Sequence, residues 1–213
     1  MKKTILIGGT KGGSGKSTVA RLLAKGIADL GHFAAIIQTD IDGVLPPDNR
    51  KYLTLNGAGE EKSIEAITKV ESFDEGDQLF ITIIDGSASD NLSTDEAYAE
   101  ISDLVVFPFK SGYEDMVRAK RNLDAMPRAF GLPNAWASPF TPAHAKASAG
   151  LVKEFPAFEA RLLEPVYQCA ASENLARDEI QNVTRVNQVS RALATQILEL
   201  MGISPFAKEF PIE

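Results

Sequence analysis

One stretch of this chain narrows its fold more than any other: the run Lys11-Gly-Gly-Ser-Gly-Lys-Ser-Thr18, entered from the apolar segment Lys3–Gly9 and left through the periodic segment Val19–Leu30. The glycines Gly12, Gly13 and Gly15 let successive backbone N–H groups turn inward around an anion, where side chains would block it or forbid the backbone angles. Lys16 is spaced to reach the β- and γ-phosphates of a nucleoside triphosphate, the Ser17 hydroxyl to face Mg²⁺, and the following helix to aim its positive end at the same charge. The helix is legible in Val19, Leu22, Leu23, Ile27 and Leu30, which share one face, and in Gly31, placed where a helix end favours positive φ.

A loop of this kind needs a parallel sheet to hold it, and the sequence supplies one. Five apolar runs, Thr4–Ile7, Phe33–Ile37, Leu79–Ile84, Leu104–Phe109 and Asn134–Phe140, alternate with helix-like segments such as Tyr113–Ala125 and Val189–Met201. This alternation predicts a mostly parallel, doubly wound α/β sheet flanked by helices, the architecture of a P-loop NTPase. Leu163–Tyr167, interrupted by Pro165, adds an edge strand. With 213 residues and 44% apolar content, residues 1–213 make one domain. Val44–Glu61, with paired prolines and two glycines, has no clear period and is expected to be a mobile, nucleotide-sensing loop.

The usual phosphate-loop pattern, G-x-x-x-x-G-K-[ST], fails at Thr10. The variant x-K-G-G-x-G-K-[ST] fits, with Lys11 at the loop mouth. Here the chain resembles the ParA/MinD family of deviant Walker A ATPases. The resemblance implies binding of ATP and Mg²⁺ by Lys11 to Thr18, including Ser14, and a homodimer formed on ATP binding. In that dimer Lys11 of each subunit would reach the nucleotide of the other and act in catalysis. It further implies slow, partner-stimulated hydrolysis that switches affinity for a partner or adaptor protein during plasmid partition or cargo positioning. Nonspecific DNA as a track comes by the same analogy.

A Mg-triphosphate also needs carboxylates at neighbouring strand ends. Leu79-Phe-Ile-Thr-Ile-Ile-Asp85 is an apolar run closing on an acid, and Asp85 is assigned to Mg²⁺ through water. Ile36-Ile-Gln-Thr-Asp-Ile-Asp-Gly43 looks like the family's D-x-D-P-Q-G segment, and two registers fit it. Both keep Asp40 in the site, as the catalytic carboxylate and near the metal; Asp42 is the alternative. The family's Pro and Gln are absent, and Gly86-Ser87 stands where relatives show Thr-Pro. Ser102–Ser111 is similar to the family's aspartate, apolar strand and proline stretch. Asn134, Pro139 and the Thr141–Pro142 turn stand where an adenine pocket or an ordinary strand and turn fit equally.

Composition removes other classes. One cysteine, Cys169, excludes an internal disulfide and a zinc or iron–sulfur cluster, and it reads as a small buried apolar residue. His32 and His144 are too far apart to suggest a ligand pair, Trp136 reads as core, and Ser87 and Ser89 as turn residues. A net charge of −7, from 22 basic and 29 acidic residues, gives no bulk attraction to nucleic acid or an anionic membrane. The densest basic group, Arg118, Lys120, Arg121 and Arg128, is interleaved with Glu114, Asp115 and Asp124 and reads as a solvated helix face. No run approaches the ~18 apolar residues that cross a bilayer, and a cytoplasmic location is expected. A MinD-like membrane helix fits poorly with the prolines and glutamates of Ile203–Glu213. A dethiobiotin-synthetase-like ligase would lack the Lys11 signature, and a tyrosine kinase would want a tyrosine-rich tail, whereas Tyr167 alone lies in the last third.

Overall fold

The computed structural model describes residues 1–10, 12–40, 51–73, 78–87, 93–156, 159–169, 172, 175 and 184–206. Lys11, Asp42, Ser89 and the first part of Val44–Glu61 therefore lie outside the described residues. The described chain runs β1 (Lys2–Ile7), α1 (Lys16–Asp29), β2 (Phe33–Gln38), β3 (Leu53–Asn56), α2 (Glu60–Glu71), β4 (Phe80–Asp85) and α3 (Ser93–Glu100). It continues through β5 (Leu104–Phe109), α4 (Tyr113–Ala125), β6 (Phe130–Trp136), α5 (Pro142–Glu154), a 3₁₀ turn at Glu159–Arg161, β7 (Val166–Tyr167) and α6 (Thr184–Leu200).

Seven strands form one sheet in the order β3-β2-β4-β1-β5-β6-β7, and every pairing is parallel. A parallel sheet needs cover on both faces, because its central strands are apolar on both sides. β1 shows how the sequence meets that need. Ile5 and Ile7 pack with Val19, Leu23 and Ile27 of α1 and with Leu193 and Ile197 of α6. Leu6, between them, packs on the opposite face with Phe107, Met116 and Leu123. Two-residue alternation within one apolar run thus builds two cores at once. Gly26 lets α1 and α6 close on each other, since a Cβ there would stand 2.0 Å from the carbonyl oxygen of Ser190.

Four expectations need correction. Leu53–Glu61 is not an irregular loop: it holds β3, the first turn of α2 and the short bend between them. β3 is brief and half-exposed on an edge, so it has no buried run to betray it. The strand expected at Asn134–Phe140 is Phe130–Trp136. Its Gly131 and Pro133 read as turn residues, yet Pro133 still pairs opposite Phe109. The edge strand predicted at Leu163–Tyr167 shrinks to Val166–Tyr167, immediately after Pro165. Cys169 is half-buried against the core rather than fully inside it.

Candidate functional site

Three strand ends stand level where the phosphate loop begins. The register pairs Ile7 of β1 with Asp85 of β4, and Asp85 with Gln38 of β2. Two further bonds weld these ends together: the Thr39 hydroxyl and N–H both donate to the Asp85 carbonyl, at 2.8 and 3.2 Å. Asp40, the next residue, thereby emerges beside Asp85, exposed to solvent. Gly86 N–H donates to the Ile7 carbonyl at 3.0 Å and Gly8 N–H to the Val106 carbonyl at 3.0 Å, so the loop leaves β1 along a fixed line.

The loop turns through glycines and enters α1 at Gly15, whose φ of 93° is left-handed. Glycine is needed there twice over: a Cβ would also come within 2.2 Å of Asn134 Nδ2. α1 carries neither a capping side chain nor an acid in its first turn. Its first turn therefore suits an anionic acceptor, in the field of the helix dipole.

Charge is concentrated at this point. Lys16 is 6% exposed and its ammonium donates to the Gly9 carbonyl at 3.1 Å. Burial lowers its pKa, opposed by the negative charges of Asp95, Asp85 and Asp40, in that order of strength. Asp85 is 3% exposed, and burial pushes its pKa up to about 6. A hydrogen bond from Ser17 and the charges of Arg21 and Lys16 work against that rise, while the Asp40 charge adds to it. Asp85 Oδ1 and the buried Ser14 hydroxyl have no hydrogen-bond partner among the described residues.

Buried polar atoms without partners cost free energy, about 1–3 kcal/mol each. Here they line a cradle that a Mg-nucleotide would complete. Gly13 has nothing within 4 Å of a Cβ position, so the loop opens outward. The Ser17 and Asp85 oxygens are hard donors of the kind Mg²⁺ prefers, and Lys16 together with the N-terminus of α1 suits a polyphosphate. The residues present fit both groups.

Of the residues singled out from sequence, Gly12 through Thr18 form this loop and helix start, and Asp40 and Asp85 act electrostatically on Lys16. Three side chains that buttress the loop carried no functional signal in the sequence, or a different one. Asn134 Nδ2 donates to the Ser14 carbonyl at 2.9 Å, which places it under the phosphate loop. The Thr10 hydroxyl donates to Asn122 Oδ1 of α4 at 3.3 Å. Asp95 of α3 accepts from Gly9 N–H at 2.7 Å. An acid in a helix's first turn is so ordinary that sequence alone gives no reason to move Asp95 into the site.

The core reading of Trp136 is borne out. Trp136 is fully buried and meets Phe109 edge-on. His32 Nε2 lies 3.2 Å from the Pro205 carbonyl, and the His144 ring meets Tyr167 at a tilt of 35°. Arg118, Lys120, Arg121 and Arg128 are exposed on and just beyond α4 among Glu114 and Asp124. No helix among the described residues is long and apolar enough to cross a membrane.

No protein-family model matches the chain, and no curated protein matches its sequence. Solved structures do. MinD from Pyrococcus horikoshii, complexed with Mg-ADP, superposes with a TM-score of 0.66 at 15% identity, covering 95% of this chain and 98% of that one. A putative plasmid partition protein from Borrelia burgdorferi, bound to AMPPNP, gives 0.62 at 15%, covering 94% and 100%. Apo McdA from Cyanothece gives 0.62 at 14%, covering 95% and 98%. At this level of identity the likeness establishes the fold, which is the P-loop fold of the ParA and MinD ATPases.

Proposed function

We propose that this protein is a ParA-like ATPase that binds Mg-ATP and closes into a homodimer around two nucleotides. Hydrolysis would reopen that dimer and switch its affinity for a partner protein in plasmid or chromosome partition or cargo positioning. The observation that carries the reading is the convergence of Lys16, Ser17, Asp85 and Asp40 on one glycine cradle whose buried Asp85 Oδ1 and Ser14 hydroxyl have no hydrogen-bond partner among the described residues. The nucleotides held by the solved MinD and partition proteins of the same fold support it.

In this reading Lys16 leaves the Gly9 carbonyl for the β- and γ-phosphate oxygens. Ser17 and Asp85 would hold the metal. Bound Mg²⁺ supplies neutralisation of the charge that builds on the phosphates. Asp40 stands at the solvent edge of the site, where it can orient an attacking water. Lys11 reaches the phosphates of the second subunit. The dimer, the adaptor protein and any nonspecific DNA track follow from the family resemblance and belong to this proposal, as does a cytoplasmic location.

Sedimentation velocity with ATP and with ADP, on wild type and Lys11→Ala, tests it. An ATP-dependent dimer that disappears in Lys11→Ala is expected; a chain that stays monomeric with ATP, or a dimer indifferent to Lys11, overturns the sandwich. Asp40→Asn should leave ATP bound and uncleaved. DNA co-sedimentation at low and moderate salt separates a DNA track from protein partners, since phosphate contacts weaken steeply with ionic strength.

A further inference from the structure

Asp95 occupies a place built for a carboxylate. It is 3% exposed, and three glycines surround it. A Cβ on Gly8 would lie 2.8 Å from Asp95 Oδ2, and one on Gly86 would lie 3.0 Å from Oδ1. Gly8 shows no positive φ, so its lack of a side chain answers to space. The third glycine, Gly9, is held from both sides: its N–H donates to Asp95 Oδ2 at 2.7 Å, and its carbonyl accepts from Lys16 at 3.1 Å. Asp95 is thus one residue removed from the ammonium that the phosphates need. Among the described carboxylates it also exerts the strongest attraction on Lys16, ahead of Asp85 and Asp40. The far end of its helix is tethered as well, by Arg128 donating to the Ala99 carbonyl.

An anion in this place cannot be neutral toward a second anion arriving at Lys16. We propose that Asp95 is a positioning residue that competes with the nucleotide phosphates for Lys16: it holds the ammonium toward Gly9, lowers nucleotide affinity and speeds release. The proposal rests on the reading of the loop as a nucleotide site. It adds an opposing charge supplied by α3 to a cradle otherwise arranged to attract.

The sign of the effect separates this role from a structural one. Loss of a merely structural contact to Gly9 would loosen the loop and weaken binding. Loss of a competing charge strengthens it. Asp95→Asn keeps an oxygen acceptor for Gly9 N–H and removes the charge; Asp95→Ser removes the charge with a smaller side chain and serves if the amide is not accommodated. Titration with a fluorescent N-methylanthraniloyl derivative of ADP, with Mg²⁺, is expected to show about tenfold tighter binding in the variants, a shift of the size a single screened charge produces. Stopped-flow dissociation should slow in proportion. A variant with wild-type circular dichroism that binds equally or more weakly overturns the role of Asp95 while leaving the nucleotide site standing. A wild-type chain that binds no nucleotide overturns the site and the inference together.

Discussion

At its carboxyl end α1 buries Asp29 against Lys25 and Lys51; at its amino end it buries Lys16 among Asp85 and Asp95. The first group is closed. Asp29, with a side chain 2% exposed, accepts from Lys25 at 2.5 Å and Lys51 at 2.9 Å. Burial alone would raise its pKa, yet the two hydrogen bonds and charges hold it below the usual carboxylate value. The second group is open. Asp85 is pushed up to about 6, and one of its oxygens has no partner among the described residues. The same residue types at the two ends of one helix therefore do opposite work: at one end they stabilise the fold, at the other they hold an unfavourable arrangement that a ligand would relieve.

The largest break in this contrast comes from Lys16→Ala. Loss of the ammonium proposed to face the phosphates is expected to weaken Mg-ATP binding by about 100-fold or more, read by fluorescent-nucleotide titration. Lys25→Ala, one helix face away at the closed end, should leave that affinity unchanged.

Asp85→Asn sharpens the contrast through pH. A folded-state pKa raised to about 6 means that the native protein holds this proton more tightly than the unfolded chain, so metal-free stability falls as pH rises from about 4 to 6 and stays lower above. The amide removes that penalty. Urea denaturation at pH 7.5 without Mg²⁺ should find Asp85→Asn more stable by about 2 kcal/mol, with the gap closing near pH 4. The same variant should lose the Mg²⁺ dependence of nucleotide binding.

Asp29→Asn should do the reverse. The depressed pKa of Asp29 contributes stability above the ordinary carboxylate range that disappears as pH falls through the folded value. Denaturation at pH 7 is expected to show a loss of about 1–2 kcal/mol that shrinks below pH 4, with nucleotide affinity intact. Lys51→Ala is the smallest step. Its side chain is 70% exposed, so its pair with Asp29 is screened and a loss of about 0.5 kcal/mol is expected by the same assay.

The contrast also marks how far the sequence could be read. β1, β4 and β5 were legible because central parallel strands are apolar on both faces, and α4 because its stripe of Met116, Ala119 and Leu123 has helical spacing. β3 escaped because an edge strand of four half-exposed residues needs no apolar run, and β6 slid because Gly131 and Pro133 look like a turn until strands on either side accept them. The loop proposed to hold phosphate could be picked out because its chemistry is local: consecutive residues supply the N–H groups, the lysine and the hydroxyl. Asp85 and Asp40 could be placed because strand ends converge in a parallel sheet. Asp95, Asn122 and Asn134 reach the loop from 86, 112 and 120 residues away. Their roles depend on how α3, α4 and β6 pack, which no local pattern encodes.

Isothermal titration calorimetry of ATP into the folded wild-type chain, with Mg²⁺ and again with EDTA, tests the central claim most directly. One saturable site per chain, weakened when the metal is removed, is the expected result. A folded chain giving no saturable heat with ATP at millimolar concentration would contradict it.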